Sequence, residues 1–458
     1  MDGEETMRAL QAEVTSSYGV APERVRVIHS PYRVCPLGAH VDHQLGQVTA
    51  MALDRGVLLA YAPCPDGRVR LRSRSYPGEV AFDVGEVPGP QPGDWGNYAR
   101  GAVRALLGRY SLRRGILGIT AGRLGEGGLS SSAAVGVAYL LALEEANHLE
   151  VSAQENIALD QAIENGYLGL RNGILDQAAI LLSRRSHLTH IDCRDASHRL
   201  IPTPPCIPPL AILVAFSGLR QALVSTDYNR RVDECAQAAR LLLQAVGRPG
   251  ERPVLGLLSA AEYHAHRQLL TGPARRRAEH FFSEVDRVAQ GIQAWEAGDL
   301  QRFGQLVSAS GDSSIHNYEC GCEPLIDLHR ILVETEGVYG ARFSGAGFRG
   351  CCVALVDAQA AAGAALQVER RYAAAHPDLA AAAPVLQCRS GDGAGMLGGC
   401  PGSPPEARPG TPGGRSGQTP TAGWPPAAAP AVPGPLPRPC SARRAGAAPG
   451  RGRPARGP

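Results

Sequence analysis

Apolar and polar residues follow two different periods along residues 1–395. Short runs rich in Val, Ile and Leu predict strands at 25–29, 48–61, 69–73, 116–120, 210–216 and 352–356. Longer runs with apolar residues three or four positions apart predict helices at 97–107, 132–146, 230–246, 275–297 and 300–308. Strands and helices occur in both halves of the chain, so the pattern predicts an α+β protein.

A proline-rich stretch, residues 203–209, interrupts this pattern just before an apolar strand. Proline cannot continue a helix or the interior of a sheet, and such a stretch is typical of a linker. We therefore predict an N-terminal domain at 1–202 and a C-terminal domain at 210–395.

The composition changes near residue 395. Residues 396–458 are rich in Pro, Gly, Ala and Arg, and from residue 401 onward eight arginines face a single glutamate. Such a segment cannot bury enough apolar surface to offset its ordering entropy, so we predict a disordered tail. We favour a functionless extension; a basic tail that contacts RNA or membranes is the alternative interpretation.

Charge and composition exclude several functions. The formal net charge of +3 gives no reason to expect a nucleic-acid or membrane partner. The chain contains no lysine, which excludes lysine-bearing phosphate loops, protein kinases and Schiff-base enzymes. The 12 cysteines form no C-x-x-C pair, so structural zinc is not expected. The sequence has no leader and no apolar run of membrane-spanning length, so we expect a cytoplasmic protein. We also expect a monomer.

Four segments carry residues suited to chemistry. Residues 125–134 form a Gly/Ser loop before a helix, which offers backbone N–H groups to a phosphate; a plain turn is the alternative. Residues 29–44 combine Arg, His and Asp, a set suited to sugar hydroxyls. There, a solvated loop or a metal site at His40, Asp42 and His43 is the alternative. Residues 164–177 end at Asp176, which a helix cap would also explain, and the glycine-rich residues 342–351 also fit a tight turn.

In this order, the four segments resemble the signature motifs of the GHMP small-molecule kinases. The matching patterns are Arg-Val-x-x-x-Gly-x-His-x-Asp at 33–42, Gly-Leu-Ser-Ser-Ser-Ala at 128–133, Gly-Ile-x-Asp-Gln at 173–177 and Gly-Val-Tyr-Gly-x-Arg-x-x-Gly-x-Gly-Phe at 337–348. Within that family, plant galacturonokinases are the most similar group. The resemblance implies a two-domain GHMP kinase fold with the active site in the inter-domain cleft. It also implies ATP and Mg²⁺ as cofactors, a sugar acid as substrate, and a product, galacturonate 1-phosphate, that enters uronic-acid salvage to nucleotide sugars.

The resemblance also implies a role for each matching residue. Asp176 and Arg33 are the expected catalytic pair, with Asp176 aligning the sugar hydroxyl more than deprotonating it early. Ser132 and Glu164 are the expected Mg²⁺ ligands. The expected ATP-binding residues are Gly127, Gly128, Leu129, Ser130, Ser131, Ser132, Ala133, Trp95 and Tyr98. The expected sugar-binding residues are Ala39, His40, Asp42, Arg171, Gly173 and Tyr228.

Departures from the galactokinase pattern bear on the substrate. Ala39 stands where galactokinases carry a glutamate beside the sugar's terminal hydroxymethyl group. A glutamate there would repel a sugar carboxylate by roughly 4 kcal/mol at about 4 Å and an effective dielectric near 20. Arg171 replaces a proline and adds positive charge, so both changes favour an anionic sugar.

A kinase for galactose or arabinose and a non-catalytic sugar sensor are the alternatives. Leu45 replaces a glycine that is common after the motif at 33–42, and we expect it to stiffen the turn that shapes the sugar-binding loop.

Overall fold

The computed structural model describes residues 3–122, 127–219 and 227–397. The predicted tail from residue 398 onward and residues 123–126 of the predicted phosphate loop lie outside these ranges. The described helices are α1 Gly3–Tyr18, α2 Asn97–Leu107, α3 Ser131–Asn147, α4 Ala153–Gln161, α5 Leu175–Leu182, α6 Tyr228–Ala245, α7 Ala260–His266, α8 Gly272–Glu296, α9 Leu300–His316, α10 Glu323–Val333 and α11 Ala361–Ala375. The strands are β1 Arg26–Val34, β2 Gln47–Cys64, β3 Arg68–Ser73, β4 Glu79–Asp83, β5 Gly115–Ala121, β6 His187–Asp192, β7 Ser197–Pro202, β8 Leu210–Phe216, β9 Val338–Phe343, β10 Cys351–Asp357, β11 Val385–Cys388 and β12 Gly395–Leu397. Every predicted strand and helix overlaps one of these elements, which confirms the α+β prediction.

Seven strands of the first half and β12 build an eight-stranded sheet in the order β12-β1-β2-β5-β3-β4, and the β6–β7 hairpin joins it along β2. β3 and β5 are parallel, whereas the other pairs are antiparallel. β2 is 18 residues long and pairs in turn with β6, β1 and β5. α3 packs against β1 and β2 beside α2 and α4, while α1 packs against β2 and β5. The sheet thereby fixes the end of β1 and the start of α3 close to each other.

The second half builds a four-stranded antiparallel sheet in the order β11-β8-β10-β9. Successive side chains of a strand point to opposite faces, and β8 divides accordingly between two cores. Ile212, Val214 and Phe216 join residues of the first sheet in one core, while Ala211 and Leu213 lie in a second core. α8 contacts α6, α9 and also β2 of the first half. The two halves are therefore joined by shared apolar packing.

The chain returns to the first sheet at its described C-terminal end. Ser390 bridges Leu53, and β12 pairs with β1 through Met396 and Leu397. Those two residues were expected in the tail, but they are part of a strand. Residues 1–400 form one compact unit, and the division at 203–209 stays a prediction.

Two further expectations concern cysteines and membranes. All the cysteines in the described ranges are free thiols, as the sequence predicts. In the part of the chain that the structure describes, no helix combines the length and apolar character that crossing a bilayer requires.

Candidate active site

A cavity opens where β1, α3 and α5 of the first half meet α6 and β9 of the second half. Residues of both halves line it. We call one group of lining residues the transfer cluster: Arg33, Ser132, Glu164 and Asp176. We call a second group the sugar wall: Ala39, His40 and Arg342. The predicted sugar contacts Asp42 and Tyr228 line the same cavity.

Arg33 and Asp176 form the central ion pair of the transfer cluster. Arg33 lies near the end of β1 and is 2% exposed. Its Nε donates to Asp176 Oδ1 at 2.8 Å, and its Nη2 lies 2.7 Å from the same oxygen. Asp176 is the second residue of α5, where no side chain caps the helix, so the carboxylate serves Arg33. The helix-cap interpretation of Asp176 is therefore not supported.

The phosphate loop and the second glycine-rich loop lie against each other. Gly128 has a φ of +103°, and a Cβ there would lie 2.7 Å from Cys351 Sγ. A Cβ on Gly350 would lie 2.3 Å from the carbonyl oxygen of Gly127. Both contacts require glycine, since side chains would push the loops apart. The glycines of both motifs therefore serve this close approach.

The start of α3 presents its backbone and hydroxyl groups at this point. Ser130 precedes the helix in a left-handed conformation with a φ of 55°, and its Oγ is buried without a hydrogen-bond partner in the described residues. Leu129 and Ala133 are buried in the core and anchor the turn, while Ser131 and Ser132 are half-buried. The free N–H groups of a helix N-terminus suit a phosphate.

Glu164 lies in a π-helical turn, Ala162–Tyr167, that follows α4. Such turns often mark functional sites. Ser132 and Asn172 hydrogen-bond its carboxylate. Burial, followed by the negative charge of Asp176, raises the pKa of Glu164 to about 7. Tyr98 hydrogen-bonds Ser132 from α2, which joins this predicted ATP-side residue to the transfer cluster.

The side-chain oxygen atoms of Ser132 and Glu164 are of the kind that binds Mg²⁺. Magnesium prefers oxygen ligands and commonly uses one or two carboxylates together with substrate phosphates. In the described ranges, no group of three or more His, Cys, Asp or Glu residues is arranged to hold a metal. A magnesium ion would therefore depend on phosphate oxygens as well as on these two side chains.

A third carboxyl group lies behind the transfer cluster. Asp160 is one helical turn before Glu164, is fully buried, and neither of its oxygens has a hydrogen-bond partner in the described residues. A Cβ on Gly136 of α3 would lie 2.2 Å from Asp160 Oδ1, so glycine makes room for the carboxyl group. Burial, then the charges of Glu164 and Asp176, raises the pKa of Asp160 well above its usual value.

Gly173 brings the motif at 173–177 against the motif at 33–42. A Cβ at this position would lie 2.5 Å from Asp42 Oδ2, and the same oxygen accepts the backbone N–H of Leu175 at 3.4 Å. Only glycine allows this approach. Asp42 is thus held by the segment that also carries Asp176.

His40 does not form the metal site that its spacing from Asp42 left open. Its ring stacks on Tyr318 with the centroids 4.1 Å apart, and its Nε2 lies 3.6 Å from Cys320 Sγ. Burial, followed by His280 and other positive groups, lowers its pKa well below the usual value. His40 is therefore a neutral part of the sugar wall.

The backbone of Ala39 is fixed from behind by α8. Glu284 Oε1 accepts the N–H groups of Gly38 at 2.9 Å and Ala39 at 3.3 Å. His280 Nε2 lies 2.9 Å from the carbonyl oxygen of Ala39. Ala39 itself is 4% exposed. The backbone of Ala39 is therefore held in place by two side chains of α8.

Several predicted residues do not line the cavity, among them Gly173 and residues 127–131 and 133 of the phosphate loop. The Nη1 of Arg171 bonds Asp233 Oδ1 at 2.7 Å, and its side chain is 47% exposed; Arg171 does not line the cavity. Trp95 stacks beside Tyr76 with the centroids 6.5 Å apart, and neither Trp95 nor Tyr98 lines the cavity.

Arg342, Asn172 and Glu284 were missed as site residues. Arg342 is part of the motif at 337–348, and Asn172 directly precedes the motif at 173–177, so their position was a signal that went unused. Glu284 lies in the middle of α8, and its charge within an amphipathic helix resembles an ordinary surface glutamate. Its role becomes visible only when the fold brings α8 behind residues 38–39.

Three family models match the chain. They are the GHMP kinases N terminal domain at residues 97–184, the GHMP kinases C terminal at 290–374 and the galactokinase galactose-binding signature at 15–63. Each matched range contributes residues to the cavity described above.

Whole-chain relatives extend this match. A protein of Arabidopsis thaliana named galacturonokinase is 50% identical over 85% of this chain and 98% of its own length. A Homo sapiens galactokinase is 32% identical over 80% of this chain and 91% of its own length. The crystal structure of Lactococcus lactis galactokinase complexed with galactose superposes with a TM-score of 0.78 and 28% identity, covering 86% of this chain and all of that one. The chain therefore belongs to the GHMP kinase family and is a sugar 1-kinase of its galactokinase-like group.

Proposed function

We propose that this protein transfers the γ-phosphoryl group of ATP to the anomeric hydroxyl of D-galacturonate. The observation that carries the proposal is the joint lining of one cavity by the Arg33–Asp176 pair and by Ala39. The first supplies the groups for phosphoryl transfer, and the second leaves space free of negative charge. The 50% identity to the Arabidopsis galacturonokinase supports the same substrate.

In this proposal, the two charged residues share the work of transfer. Both contacts from Arg33 go to Asp176 Oδ1, so Oδ2 is left to accept a hydrogen bond from the sugar hydroxyl. As the hydroxyl oxygen bonds to the γ-phosphorus, the bond from that phosphorus to ADP breaks and the proton passes to Asp176. Because phosphoryl transfer depends mainly on positioning and charge stabilisation, Arg33 can serve without a lysine.

The loop before α3 would hold the phosphates of ATP. Arg33 reaches the carbonyl oxygen of Gly128 at 3.3 Å, which couples the ion pair to that loop. Kinases of this family use ATP, and Glu164 with Ser132 would hold Mg²⁺. A bound Mg²⁺ would neutralise charge on the phosphates. Trp95 and Tyr98 are proposed for the adenine side; the contact from Tyr98 to Ser132 links Tyr98 to the residues proposed for the phosphates and Mg²⁺.

The test is ATP consumption by the purified protein with Mg²⁺ and galacturonate, glucuronate, galactose or arabinose. An Asp176→Ala variant is assayed beside it. We expect the fastest turnover with galacturonate and none in the variant. A preference for galactose or arabinose would contradict the substrate, and silence with all four sugars would favour a non-catalytic sensor.

A further inference from the structure

Asn172 lines the cavity beside the transfer cluster and has no role in the transfer described above. It is half-buried and directly precedes the motif at 173–177. Its side-chain Nδ2 donates a hydrogen bond to Glu164 Oε2. Ser132 also hydrogen-bonds this carboxylate, but Ser132 is itself an expected Mg²⁺ ligand. Asn172 thus holds Glu164 without being a proposed ligand of the metal.

The backbone of Asn172 is held by the same segment, residues 161–165, that carries Glu164. Its carbonyl oxygen accepts Asn165 Nδ2 at 3.0 Å and Gln161 Nε2 at 3.4 Å. These two amides lie on either side of Glu164 in the sequence. The segment gives two hydrogen bonds to the backbone of Asn172 and receives one from its side chain. This reciprocal arrangement fixes the amide of Asn172 relative to Glu164.

The residue after Asn172 is held on its other side. A Cβ on Gly173 would lie 2.5 Å from Asp42 Oδ2, and the carbonyl oxygen of Gly173 accepts Gln177 Nε2 at 3.2 Å. The loop before α5 cannot shift without losing these contacts. The fold therefore sets the position of the Asn172 amide before any ligand binds.

The orientation of the Glu164 carboxylate matters because its surroundings are acidic. Asp160 and Asp176 both lie close enough for charge interactions with Glu164. Like charges repel, so an unrestrained carboxylate would turn away from its neighbours. Magnesium demands near-ideal octahedral geometry, which needs each ligand in one orientation. The neutral amide of Asn172 supplies a donor to Glu164 without adding charge.

We propose that Asn172 is a positioning residue that holds the Glu164 carboxylate in the orientation in which it binds Mg²⁺. This inference rests on the metal role that the proposed function gives Glu164. Hydrogen-bond partners of metal ligands orient those ligands, and their loss typically lowers metal affinity about 10- to 100-fold. If Asn172 only satisfied a buried carboxylate, its loss would lower stability and leave metal affinity unchanged.

The test is the binding of Mn²⁺, as a probe for Mg²⁺, to the purified protein saturated with ADP. Water-proton relaxation measures it in wild type and in Asn172→Leu, which has a similar size but no donor. We expect the dissociation constant for Mn²⁺ to rise about 10- to 100-fold. In kinase assays, the Mg²⁺ concentration for half-maximal rate should rise by a similar factor. KM for the sugar should stay within about threefold.

Asn156→Leu is the matched control. Asn156 Nδ2 donates to Glu144 Oε2 at 3.1 Å, so it too is an amide bonded to a buried carboxylate. Neither of these residues lines the cavity. We expect this variant to lose stability in denaturant unfolding and to keep the wild-type affinity for Mn²⁺. An equal loss of Mn²⁺ affinity in both variants would assign the effect to a loosened fold and overturn the proposal.

A second variant covers the case in which Asn172→Leu fails to fold. Asn165→Ala leaves Asn172 and Glu164 in place and removes the hydrogen bond of 3.0 Å to the Asn172 carbonyl oxygen. We expect the dissociation constant for Mn²⁺ to rise about two- to tenfold. Wild-type affinity in Asn172→Leu would overturn the proposal. If that variant cannot be purified, wild-type affinity in Asn165→Ala would do the same.

Glu164→Gln separates this inference from the proposed function. If Glu164→Gln keeps the wild-type affinity for Mn²⁺, the metal role of Glu164 fails, and the inference fails with it. If Glu164→Gln loses affinity and Asn172→Leu does not, only the role of Asn172 fails. Because Mn²⁺ binding is measured without sugar, the result does not depend on which sugar is the substrate.

Discussion

Buried carboxylates lie behind both the transfer cluster and the sugar wall, and their surroundings differ. In and behind the transfer cluster, Glu164 and Asp160 face Asp176. The pKa of Glu164 is raised by burial and then by the charge of Asp176, while the pKa of Asp160 is raised by burial and then by the charges of Glu164 and Asp176. Behind the sugar wall, burial alone would raise the pKa of Glu284. Arg287, His280 and Arg342 outweigh it and hold the value at about 2.

The difference indicates what each region is built to receive. In the described residues, Arg33 is the arginine beside three carboxyl groups, those of Asp160, Glu164 and Asp176, so the charge of the transfer cluster favours a further cation. Glu284 instead faces both Arg287 and Arg342, so the charge behind the sugar wall favours an anion. Opposite charges stabilise one another most when both are buried. The comparison thus supports the proposed division, with the phosphates and metal at the transfer cluster and the sugar acid at the sugar wall.

The largest expected effect comes from changing the transfer cluster itself. Asp176→Asn keeps the size of the side chain but removes the acceptor for the sugar proton and the charge opposite Arg33. We expect kcat to fall about 10³-fold or more for every sugar that the enzyme accepts. Steady-state kinetics with two sugars checks this. A loss confined to one sugar would mean that Asp176 acts in recognition instead.

A smaller effect is expected from Glu284→Gln, which removes the charge behind the sugar wall. A pKa lowered from 4.5 to about 2 corresponds to about 3 kcal/mol of stability at neutral pH. Because the folded pKa is the lower one, this contribution is present above pH 4.5 and is lost as pH falls toward about 2.

Denaturant unfolding at pH 7 and at pH 3.5 measures this contribution. The free energy of unfolding of Glu284→Gln should be lower than that of wild type at both pH values, and the difference should be larger at pH 7 than at pH 3.5. A deficit that is equal at both pH values would show that hydrogen-bond geometry, and not charge, is what the carboxylate supplies. KM for galacturonate should rise as well, since residues 38–39 lose their anchor.

The residues of the transfer cluster could be named from the sequence because they belong to recognisable local patterns, and the structure brings them together in one cavity. Arg33, Asp176 and Ser132 each lie in a recognised motif. Glycine is required in these motifs where two loops approach each other closely and where Gly173 lies against Asp42. The strands and helices that the sequence did predict followed from periodicity. These are short-range properties, and a single sequence displays them.

The sugar wall could not be predicted in the same way. Glu284 and Tyr318 come from segments far along the chain and reach the wall only through the packing of α8 and the loop before α10. Arg171 looked suitable by proximity to a motif, but its side chain turns to Asp233. β12 was also missed, because three residues beside a glycine- and proline-rich region carry too little pattern to predict a strand.

A third effect, on stability, concerns the helix pair behind the transfer cluster. Glu144 of α3 is 6% exposed and accepts from Asn156 Nδ2 at 3.1 Å, but its Oε1 and Asn156 Oδ1 have no hydrogen-bond partner in the described residues. Burial raises the pKa of Glu144 from 4.5 to about 7. The folded state therefore binds the proton more tightly, and stability falls as pH rises from about 4.5 to 7.

Glu144→Gln should remove that pH dependence. We expect the variant to be about 2 kcal/mol more stable than wild type at pH 8 and nearly equal at pH 5. Thermal or denaturant unfolding at the two pH values measures the difference. The kinetic constants should be unaffected, because Glu144 does not line the cavity. A variant that is destabilised at pH 8 would mean that the ionised carboxylate is stabilised in the fold.

The smallest effect tests how the turn after His40 contributes to the sugar wall. Leu45 adopts a left-handed conformation with φ 62° and ψ 29°, which costs most residues about 1–2 kcal/mol and glycine almost nothing. Leu45→Gly and Leu45→Ala remove the same side chain, but only glycine relieves the backbone. We expect the glycine variant to be about 1 kcal/mol more stable than the alanine variant by denaturant unfolding. Because Glu284 and His280 already fix Ala39, KM for galacturonate should be similar in both. A KM that rises only in the glycine variant would assign the rigidity of the sugar wall to Leu45, and not to α8.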